Sequence, residues 1–229
     1  MFDLVQKPNC VGFIMDGNRR WASEQGKDTL LGHIAGEQIF TEMVRCVQEA
    51  KIPHAVFYAF STENWQRSER EIHHLMQLFT SYLTRMLPKI AEHKLRIRVL
   101  GQKEDFSDEL VAKIKEVETI SMKCTPVTTI WIALSYGGRA EIVAAANQAI
   151  EAGQSVTETS LQNYMWGADL PEPDLVIRTG GEQRVSNFLL WHIAYSELYF
   201  TNTYWPAFTK DEFHRILEWY ESRKRRRGR

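Results

Sequence analysis

Two short polar segments of the sequence have residue types that favour the binding of phosphate groups. The first is DGNRR at positions 16–20, which follows an apolar run. Gly17 lets the backbone approach a ligand, and the guanidinium groups of Arg19 and Arg20 match phosphate oxygens. Asp16 is a natural Mg²⁺ ligand beside them, because Mg²⁺ commonly takes one or two carboxylates plus substrate phosphates. A turn with solvated arginines is the simpler interpretation, but two arginines after a buried strand favour a binding site.

The second segment is RTGGE at positions 178–182, followed by Arg184 and Ser186. Its two glycines expose bare backbone amides, while the arginines and hydroxyl groups supply side-chain donors. A glycine turn between a strand and a helix is the alternative interpretation, and both can hold together. Two separate sites for diphosphate-sized anions indicate an enzyme with two phosphorylated substrates.

Several common catalytic patterns do not occur in the sequence. There is no GxxxxGK[ST] segment, which argues against an ordinary nucleoside triphosphatase. Neither HExxH nor a Cys/His zinc spacing occurs, and there is no GxSxG segment. The DDxxD cluster that trans-type prenyl-elongating enzymes need is also missing.

Strand patterns and helix patterns alternate along the chain, which predicts an α/β fold with a mostly parallel sheet covered by helices on both faces. We expect a single domain over residues 1–229. Predicted strands are 11–15, 55–60, 95–100, 127–134, 175–177 and 197–200. Predicted helices are 33–51, 68–92 (with a kink near Pro88), 108–123, 140–152, 160–166 and 211–223.

The polar segments come directly after predicted strands. Besides the two described above, STEN begins at Ser61 and SYGGR begins at Ser135. Ligands of open α/β sheets bind at the carboxyl ends of the strands. The sequence therefore predicts that these segments meet at one edge of the sheet.

The bulk composition excludes several other classes of protein. Lys plus Arg number 28 and Asp plus Glu number 29, a balance that argues against a nucleic-acid-binding protein. Three separated cysteines favour reduced thiols and a cytoplasmic location. We expect no secretory signal, and the longest apolar runs are too short to span a bilayer.

Longer segments resemble the signature blocks of the cis-prenyltransferase family, to which undecaprenyl diphosphate synthases belong. The matching blocks, in the family's order between about residues 10 and 213, are VGFIMDGNRRWA, GHIAG, FYAFSTENWQR, SYGGRAEIV, DLVIRTGGEQRVSNFLLWHIAYSELYF and YWPAF. The resemblance implies a six-stranded parallel sheet, a homodimer and a dependence on Mg²⁺. It also implies a reaction in which C1 of an allylic diphosphate is joined to C4 of isopentenyl diphosphate, with loss of diphosphate and a proton.

The resemblance also assigns roles to individual residues. Asp16 and Glu197 would hold Mg²⁺, and Asp16 and Asn64 would be catalytic. The residues that would bind the allylic diphosphate are Gly17, Asn18, Arg19, Arg20, Trp21 and His33. Those that would bind isopentenyl diphosphate are Arg178, Arg184 and Ser186, and Ser61, Asn64 and Arg67 would lie between the two substrates.

The identity of the product is less constrained than the reaction. Ala59 is small, and by resemblance a small residue there favours a long-chain cis-polyprenyl diphosphate. Thr29 stands where the family often has arginine, which leaves a short-chain or branched product as the alternative. A non-catalytic partner subunit is a further alternative that the complete polar segments disfavour.

The sequence ends in a basic run, residues 223–229. The simplest expectation is a solvated, disordered tail. The alternative is a weak peripheral attachment to anionic membrane, worth about 1 kcal/mol per basic residue near the surface.

Overall fold

Six runs rich in β-branched and aromatic residues form one sheet in the structure, a computed structural model that describes residues 7–123 and 125–223. The strands are β1 (Cys10–Ile14), β2 (His54–Ser61), β3 (Leu95–Leu100), β4 (Thr128–Tyr136), β5 (Leu175–Arg178) and β6 (Glu197–Phe200). Their order is β3-β4-β2-β1-β5-β6, and every pairing is parallel. This confirms the predicted α/β class, and the sheet is wholly rather than mostly parallel.

Seven α-helices cover the described part of the sheet. They are α1 (Asn18–Glu24), α2 (Thr29–Glu49), α3 (Glu69–Glu92), α4 (Asp108–Ser121), α5 (Gly138–Glu151), α6 (Glu158–Tyr164) and α7 (Lys210–Ser222). Helix α2 begins four residues before the predicted start, because the Asp28 side chain caps it by accepting a hydrogen bond from Leu30 N at 3.0 Å. Helix α3 continues through Pro88 to Glu92.

Two hydrophobic clusters hold the layers together. The larger contains Phe13 and Phe57, whose rings stack with centroids 4.7 Å apart. The smaller contains Phe188, which packs so tightly on β1 that a Cβ on Gly12 would lie 3.0 Å from its ring. Burying each such ring contributes roughly 1.5–3 kcal/mol. This packing fixes the segment after β5 against β1, next to the predicted site.

The strand register brings the predicted polar segments to one edge. Strand β1 lies between β2 and β5, and Ile14 is level with Tyr58 on one side and with Arg178 on the other. The segments that follow these three strands therefore emerge side by side at the carboxyl edge.

The remaining sequence expectations concern the cysteines, the tail and membrane spans. Cys10 and Cys46 are buried free thiols, and burial raises the pKa of Cys46 to about 11, while Cys124 lies outside the described residues. The predicted tail also lies outside them except for Arg223. Among the described helices, none has the length and apolar character needed to cross a bilayer.

Candidate active site

Asp16 lies two residues beyond β1, at the centre of the carboxyl edge. Its carboxylate accepts a hydrogen bond from Gly17 N at 2.7 Å, and its backbone oxygen accepts one from Thr179 Oγ1 at 2.8 Å. Gly17 has φ +104°, and a Cβ there would lie 2.6 Å from the ring of Tyr204. Glycine is therefore required both by the backbone conformation and by the packing.

Arg178, the last residue of β5, connects the two predicted anion-binding segments. Its guanidinium is almost fully buried, and Nη2 lies 2.9 Å from Asp16 Oδ2. Nη1 donates to Ser186 Oγ at 2.8 Å and to the backbone oxygen of Arg184. Its Nε is buried and has no hydrogen-bond partner among the described residues. This free donor and the fixed geometry make Arg178 suited to receive an anion.

A second guanidinium shares the Asp16 carboxylate. Arg20 Nη2 lies 3.3 Å from Asp16 Oδ1, and Arg20 Nη1 lies 3.6 Å from Glu182 Oε1. Gly180 has φ +87°, and a Cβ there would approach the backbone carbonyl carbon of Asp16 to 3.0 Å. The segments around Asp16 and Gly180 are thus in close contact, as the sequence predicts.

The STENW segment after β2 forms a short 3₁₀ helix, Thr62–Gln66, which presents its polar side chains to the same edge. Asn64 Oδ1 accepts a hydrogen bond from Ser61 N at 3.1 Å. Trp65 Nε1 donates to Ser135 Oγ at 2.8 Å, and Ser135 donates to Asp105. These bonds tie the segment to β4 and set the position of Asn64.

A buried carboxylate, Glu71, organises the cations on the other side of Asp16. Its Oε1 accepts hydrogen bonds from His33 Nε2 and from Arg67 Nη1, each at 3.0 Å. Its Oε2 lies 3.9 Å from Arg19 Nη1. Sequence reasoning missed Glu71, because it resembles an ordinary polar position in the first turn of α3. Its spacing of four residues from Arg67 was the available signal.

These residues surround two adjoining hollows. One, of about 460 Å³, is lined by residues 15–20 together with Ser23, Thr29, His33 and Arg67. The other, of about 500 Å³, lies towards Ser61, Asn64, Arg178 and Ser186. Both are lined by Asp16 and Asn18, so they form one cleft of a size typical of ligand sites.

An apolar cavity of about 100 Å³ lies beneath this cleft. His33 and Asn18 line this cavity and also both hollows. The cavity therefore adjoins the polar cleft close to Asp16. Its lining includes Ala59 of β2 and Leu75 and Phe79 of α3. Its far side includes the rings of Phe40 and Tyr82, which pack edge to face with centroids 5.0 Å apart.

The donor set of the cleft fits Mg²⁺ bound jointly by protein and substrate. Within residues 7–123 and 125–223 there is no group of three or more His, Cys, Asp or Glu side chains that could enclose a metal. Asp16 nevertheless offers a partly exposed carboxylate beside the guanidinium groups. One carboxylate plus phosphate oxygens is a common Mg²⁺ arrangement, so Asp16 fits the predicted role.

Three predicted site residues line neither of the two hollows. Glu197 begins β6, is level with Val11 through β5, and its Oε2 lies 3.1 Å from Arg223 Nε. Asp16 is five residues after Val11 in the direction of β1, a distance of about 16 Å at 3.3 Å per residue. Asp16 therefore lies at the carboxyl ends of the strands, whereas Glu197 lies at their amino ends. The exposed Arg184 pairs with Glu182 at 2.5 Å, and the Trp21 ring lies beneath the Lys27 ammonium at 5.1 Å.

Comparison with known proteins agrees with this geometry. Residues 14–228 match the family model described as "Putative undecaprenyl diphosphate synthase". The chain is 42% identical to an isoprenyl transferase of Ralstonia nicotianae, covering 99% of this chain and 90% of that protein. It is 41% identical to an isoprenyl transferase of Thermotoga maritima, covering 96% and 97% of the two chains.

Two solved structures share the fold over almost the whole chain. One is lavandulyl diphosphate synthase from Lavandula x intermedia in complex with dimethylallyl diphosphate, with a TM-score of 0.92, 29% identity and coverage of 97% and 99%. The other is a probable undecaprenyl diphosphate synthase from Campylobacter jejuni, with a TM-score of 0.83, 32% identity and coverage of 98% and 100%.

These relationships define an enzyme that transfers prenyl groups. The chain belongs to the undecaprenyl diphosphate synthase family, the cis-prenyltransferases. The family resemblance and the fold that the sequence predicted are thereby confirmed. The roles of individual site residues stay predictions.

Proposed function

We propose that the enzyme joins isopentenyl diphosphate to an allylic diphosphate primer by coupling C4 of the former to C1 of the latter. The observation that carries this proposal is the cleft itself, in which two adjoining hollows meet at Asp16 and an apolar cavity opens beneath them. Two diphosphates and one hydrocarbon chain require this combination of polar and apolar space.

The hollow around residues 15–20 would hold the primer's diphosphate. The guanidinium groups of Arg19, Arg20 and Arg67 face this hollow together with His33. The apolar cavity adjoins it, so the primer's hydrocarbon would extend beneath the sheet edge. A relative with 29% identity has been solved with dimethylallyl diphosphate, an allylic diphosphate of the expected class.

The second hollow would hold isopentenyl diphosphate. Arg178 and Ser186 line it, and the unpartnered Nε of Arg178 gives an additional donor for phosphate oxygen. Arg184 would reach the diphosphate only after exchanging its contact with Glu182 for the ligand. Ordering both substrates in one cleft lowers the entropic cost of bringing their reacting carbons together.

Cleavage of the allylic carbon–oxygen bond places negative charge on the departing diphosphate. Mg²⁺, when bound, supplies Lewis-acid stabilisation of that charge. Asp16 would hold the ion, while Arg20 and Arg178 would exchange Asp16 for phosphate oxygens as the ligands enter. Preorganised donors of this kind stabilise developing charge without reorganising during the reaction.

Asn64 is proposed to orient isopentenyl diphosphate for loss of its proton. Asn64 lines the second hollow, and its Oδ1 is fixed by Ser61 N. The amide Nδ2 is thereby left to donate towards the ligand. Ser61 and Arg67 also line this hollow, as expected for residues between the two substrates.

The proposed product is a long-chain cis-polyprenyl diphosphate, as the small side chain of Ala59 suggests by family resemblance. Each added isoprene unit buries five carbons, worth roughly 3–4 kcal/mol at about 0.8 kcal/mol per CH₂. The cavity of about 100 Å³ has room for about one unit, since a protein cavity of about 150 Å³ binds benzene. A long product therefore requires α2 and α3 to separate during elongation.

A short-chain or branched product is the second candidate, and the volume of the cavity favours it. The packed rings of Phe40 and Tyr82 line the cavity but neither hollow, so we propose that they form its closed end. If this wall does not move, synthesis stops after one or two additions. The length of the product made by the purified enzyme separates the two candidates.

A homodimer is proposed because the single chain leaves large apolar side chains in solvent. Val143 and Ile150 are exposed on α5, Tyr195 is exposed just before β6, and Leu198 is exposed within β6. A second copy of the chain would cover such positions. Peripheral contact between the basic end of the chain and anionic lipid is proposed on charge alone.

The decisive experiment supplies purified enzyme with Mg²⁺, radiolabelled isopentenyl diphosphate and allylic primers of different lengths. We expect primer-dependent incorporation that disappears with EDTA. The Asp16→Asn variant is expected to lose about 10²–10³-fold in kcat, because it removes the charge on which the metal and both arginines depend. Asp169→Asn, at an exposed ion pair with Arg98, is the matched control. Full activity of Asp16→Asn would contradict the metal assignment.

A further inference from the structure

Glu71 is a buried carboxylate whose partners all line the hollow around residues 15–20. The residue is 6% exposed and lies in the first turn of α3, where its backbone amide donates to Ser68 Oγ. Its carboxylate contacts His33 of α2, Arg67 at the end of the Thr62–Gln66 helix and Arg19 of α1. One side chain thus joins three elements that carry proposed ligands of the diphosphate.

Contribution to stability does not by itself account for this arrangement. Burying a carboxylate is costly, and replacing a buried ion cluster with apolar residues of similar volume is often neutral or stabilising. The cluster does, however, restrict where its members point. Each of His33, Arg67 and Arg19 lines the hollow around Asp16, whereas Glu71 does not. The carboxylate therefore lies behind the cations, on the side away from the ligand.

The hydrogen bond from His33 has a consequence for the histidine ring. An ionised carboxylate only accepts hydrogen bonds, so Nε2 of His33 must carry the proton in this contact. In the neutral ring the lone pair is then on Nδ1. On protonation, Nδ1 gains a proton and becomes a second donor, from which a phosphate oxygen can accept a hydrogen bond. Glu71 thus determines which ring nitrogen can respond to the ligand.

We propose that Glu71 is a positioning residue that orients His33 and Arg67 towards the allylic diphosphate and fixes the Nε2–H form of His33. This inference rests on the proposed function of the hollow. Glu71 itself does not touch the substrate. Its effect is exerted through the two side chains that donate hydrogen bonds to it.

The same contacts act on the charge state of the ring. Burial lowers the pKa of His33, and the hydrogen bond from His33 to Glu71 counters that effect. The other charged and titratable groups near the ring, Arg67 and His74, lower the pKa as well. Loss of the carboxylate would leave the ring neutral over a wider range of pH.

The kinetic test compares Glu71→Ala, Glu71→Gln and the exposed control Glu69→Gln from the same helix turn. In Glu71→Ala we expect KM for the allylic primer to rise about 10- to 100-fold, the effect of losing one charged hydrogen bond. KM for isopentenyl diphosphate should rise by a smaller factor, because Arg178 is not in the cluster and Arg19 lines only the primer's hollow, although His33 and Arg67 line both. Glu71→Gln keeps an acceptor oxygen and should recover part of the loss, while Glu69→Gln should match the wild type.

A purely structural role predicts a different result. Both KM values would then stay unchanged, and activity would fall only with the folded fraction measured by circular dichroism. Equal changes in the two KM values, or no recovery by glutamine, would also overturn the proposal.

A second measurement needs no activity and no change at Glu71. The ¹⁵N chemical shifts of His33 in the wild-type enzyme, assigned with His33→Asn, report which ring nitrogen is protonated. We expect the Nε2–H form above the pKa of the ring, and the Nδ1–H form would overturn the inference. If wild-type enzyme shows this form but turns over neither diphosphate, the proposed function has failed and not the position of Glu71.

Discussion

At the scale of single residues, the site depends on carboxylates that hold guanidinium groups until a ligand arrives. Asp16 is shared by Arg20 and Arg178, and Glu71 is shared by Arg67 and His33. The two carboxylates differ in exposure, since the Asp16 side chain is 31% exposed and that of Glu71 is 8% exposed. Asp16 can therefore meet a metal and solvent, whereas Glu71 is confined to its partners.

The buried His33 predicts a dependence of stability on pH. Its pKa is lowered from 6.5 by burial, so the unfolded chain binds a proton more readily than the folded protein. The stability associated with the neutral ring is complete above pH 6.5 and is lost as the pH falls towards the lower folded value. We expect the difference in unfolding free energy between wild type and His33→Asn to change over this interval, measured by urea unfolding. A difference that is constant between pH 7.5 and 5.5 would contradict the shift.

The sequence predicted the residues of the site best where several donors follow a strand. Asp16 and Arg178 are 162 positions apart, yet each lies at the carboxyl end of an apolar strand, which places them at the same edge. Glu71 could not be identified, because its function depends on which helix packs against it. Glu197 was chosen by resemblance, and the register of β6 places it at the other edge of its own sheet.

At the scale of elements, glycines allow the segments after β1 and β5 to touch. We expect Gly180→Ala to lower the unfolding free energy by about 1–3 kcal/mol through backbone strain, with an added penalty from contact with the Asp16 backbone. Gly153→Ala is the matched control, because its φ is +68° but nothing lies within 4 Å of the new Cβ. Urea unfolding of both variants measures the difference. Equal losses would show that the close contact is unimportant.

Ala59 of β2 and Leu75 and Phe79 of α3 line the apolar cavity that is proposed to hold the hydrocarbon. Ala59→Leu adds three carbons to a cavity of about 100 Å³, so we expect fewer isoprene units per product. The overpacking itself should cost about 1–3 kcal/mol of stability. Thin-layer separation of radiolabelled products measures the length, and Val156→Leu, at an exposed position between α5 and α6, is the control. An unchanged distribution of lengths would show that the hydrocarbon takes another path.

Element types were predictable because apolar periodicity differs between strands and helices. The first and last residues of the elements were less predictable. The start of α2 is set by the Asp28 cap, and β4 continues through Ser135 and Tyr136, two polar residues that the parallel sheet nevertheless buries completely. Such ends depend on neighbouring strands, which a single segment of sequence does not reveal.

At the scale of the whole molecule, the distance between Glu197 and Asp16 allows an experiment that tests whether two copies of the chain share a site. If Glu197 binds metal, it must do so in the site of a second copy. Mixing inactive Asp16→Ala and Glu197→Ala chains would then restore about a quarter of wild-type activity, since half the random dimers contain one complete site of two. No recovery would exclude the contribution across subunits. Full activity of Glu197→Ala alone would exclude any metal role and leave its contact with Arg223 as its function.

Because β1 lies between β2 and β5, the sheet around it can be completed only late in synthesis of the chain. A ribosome releases β1 and β2 early, but β1 stays open on one side until residues 175–178 have emerged. Asp16 therefore gains Arg178 only after three quarters of the chain has been made. A prematurely terminated chain would expose an unpaired apolar strand, which is prone to pair with other chains. Such fragments would be directed to chaperones or proteases rather than persist as weakly active enzyme.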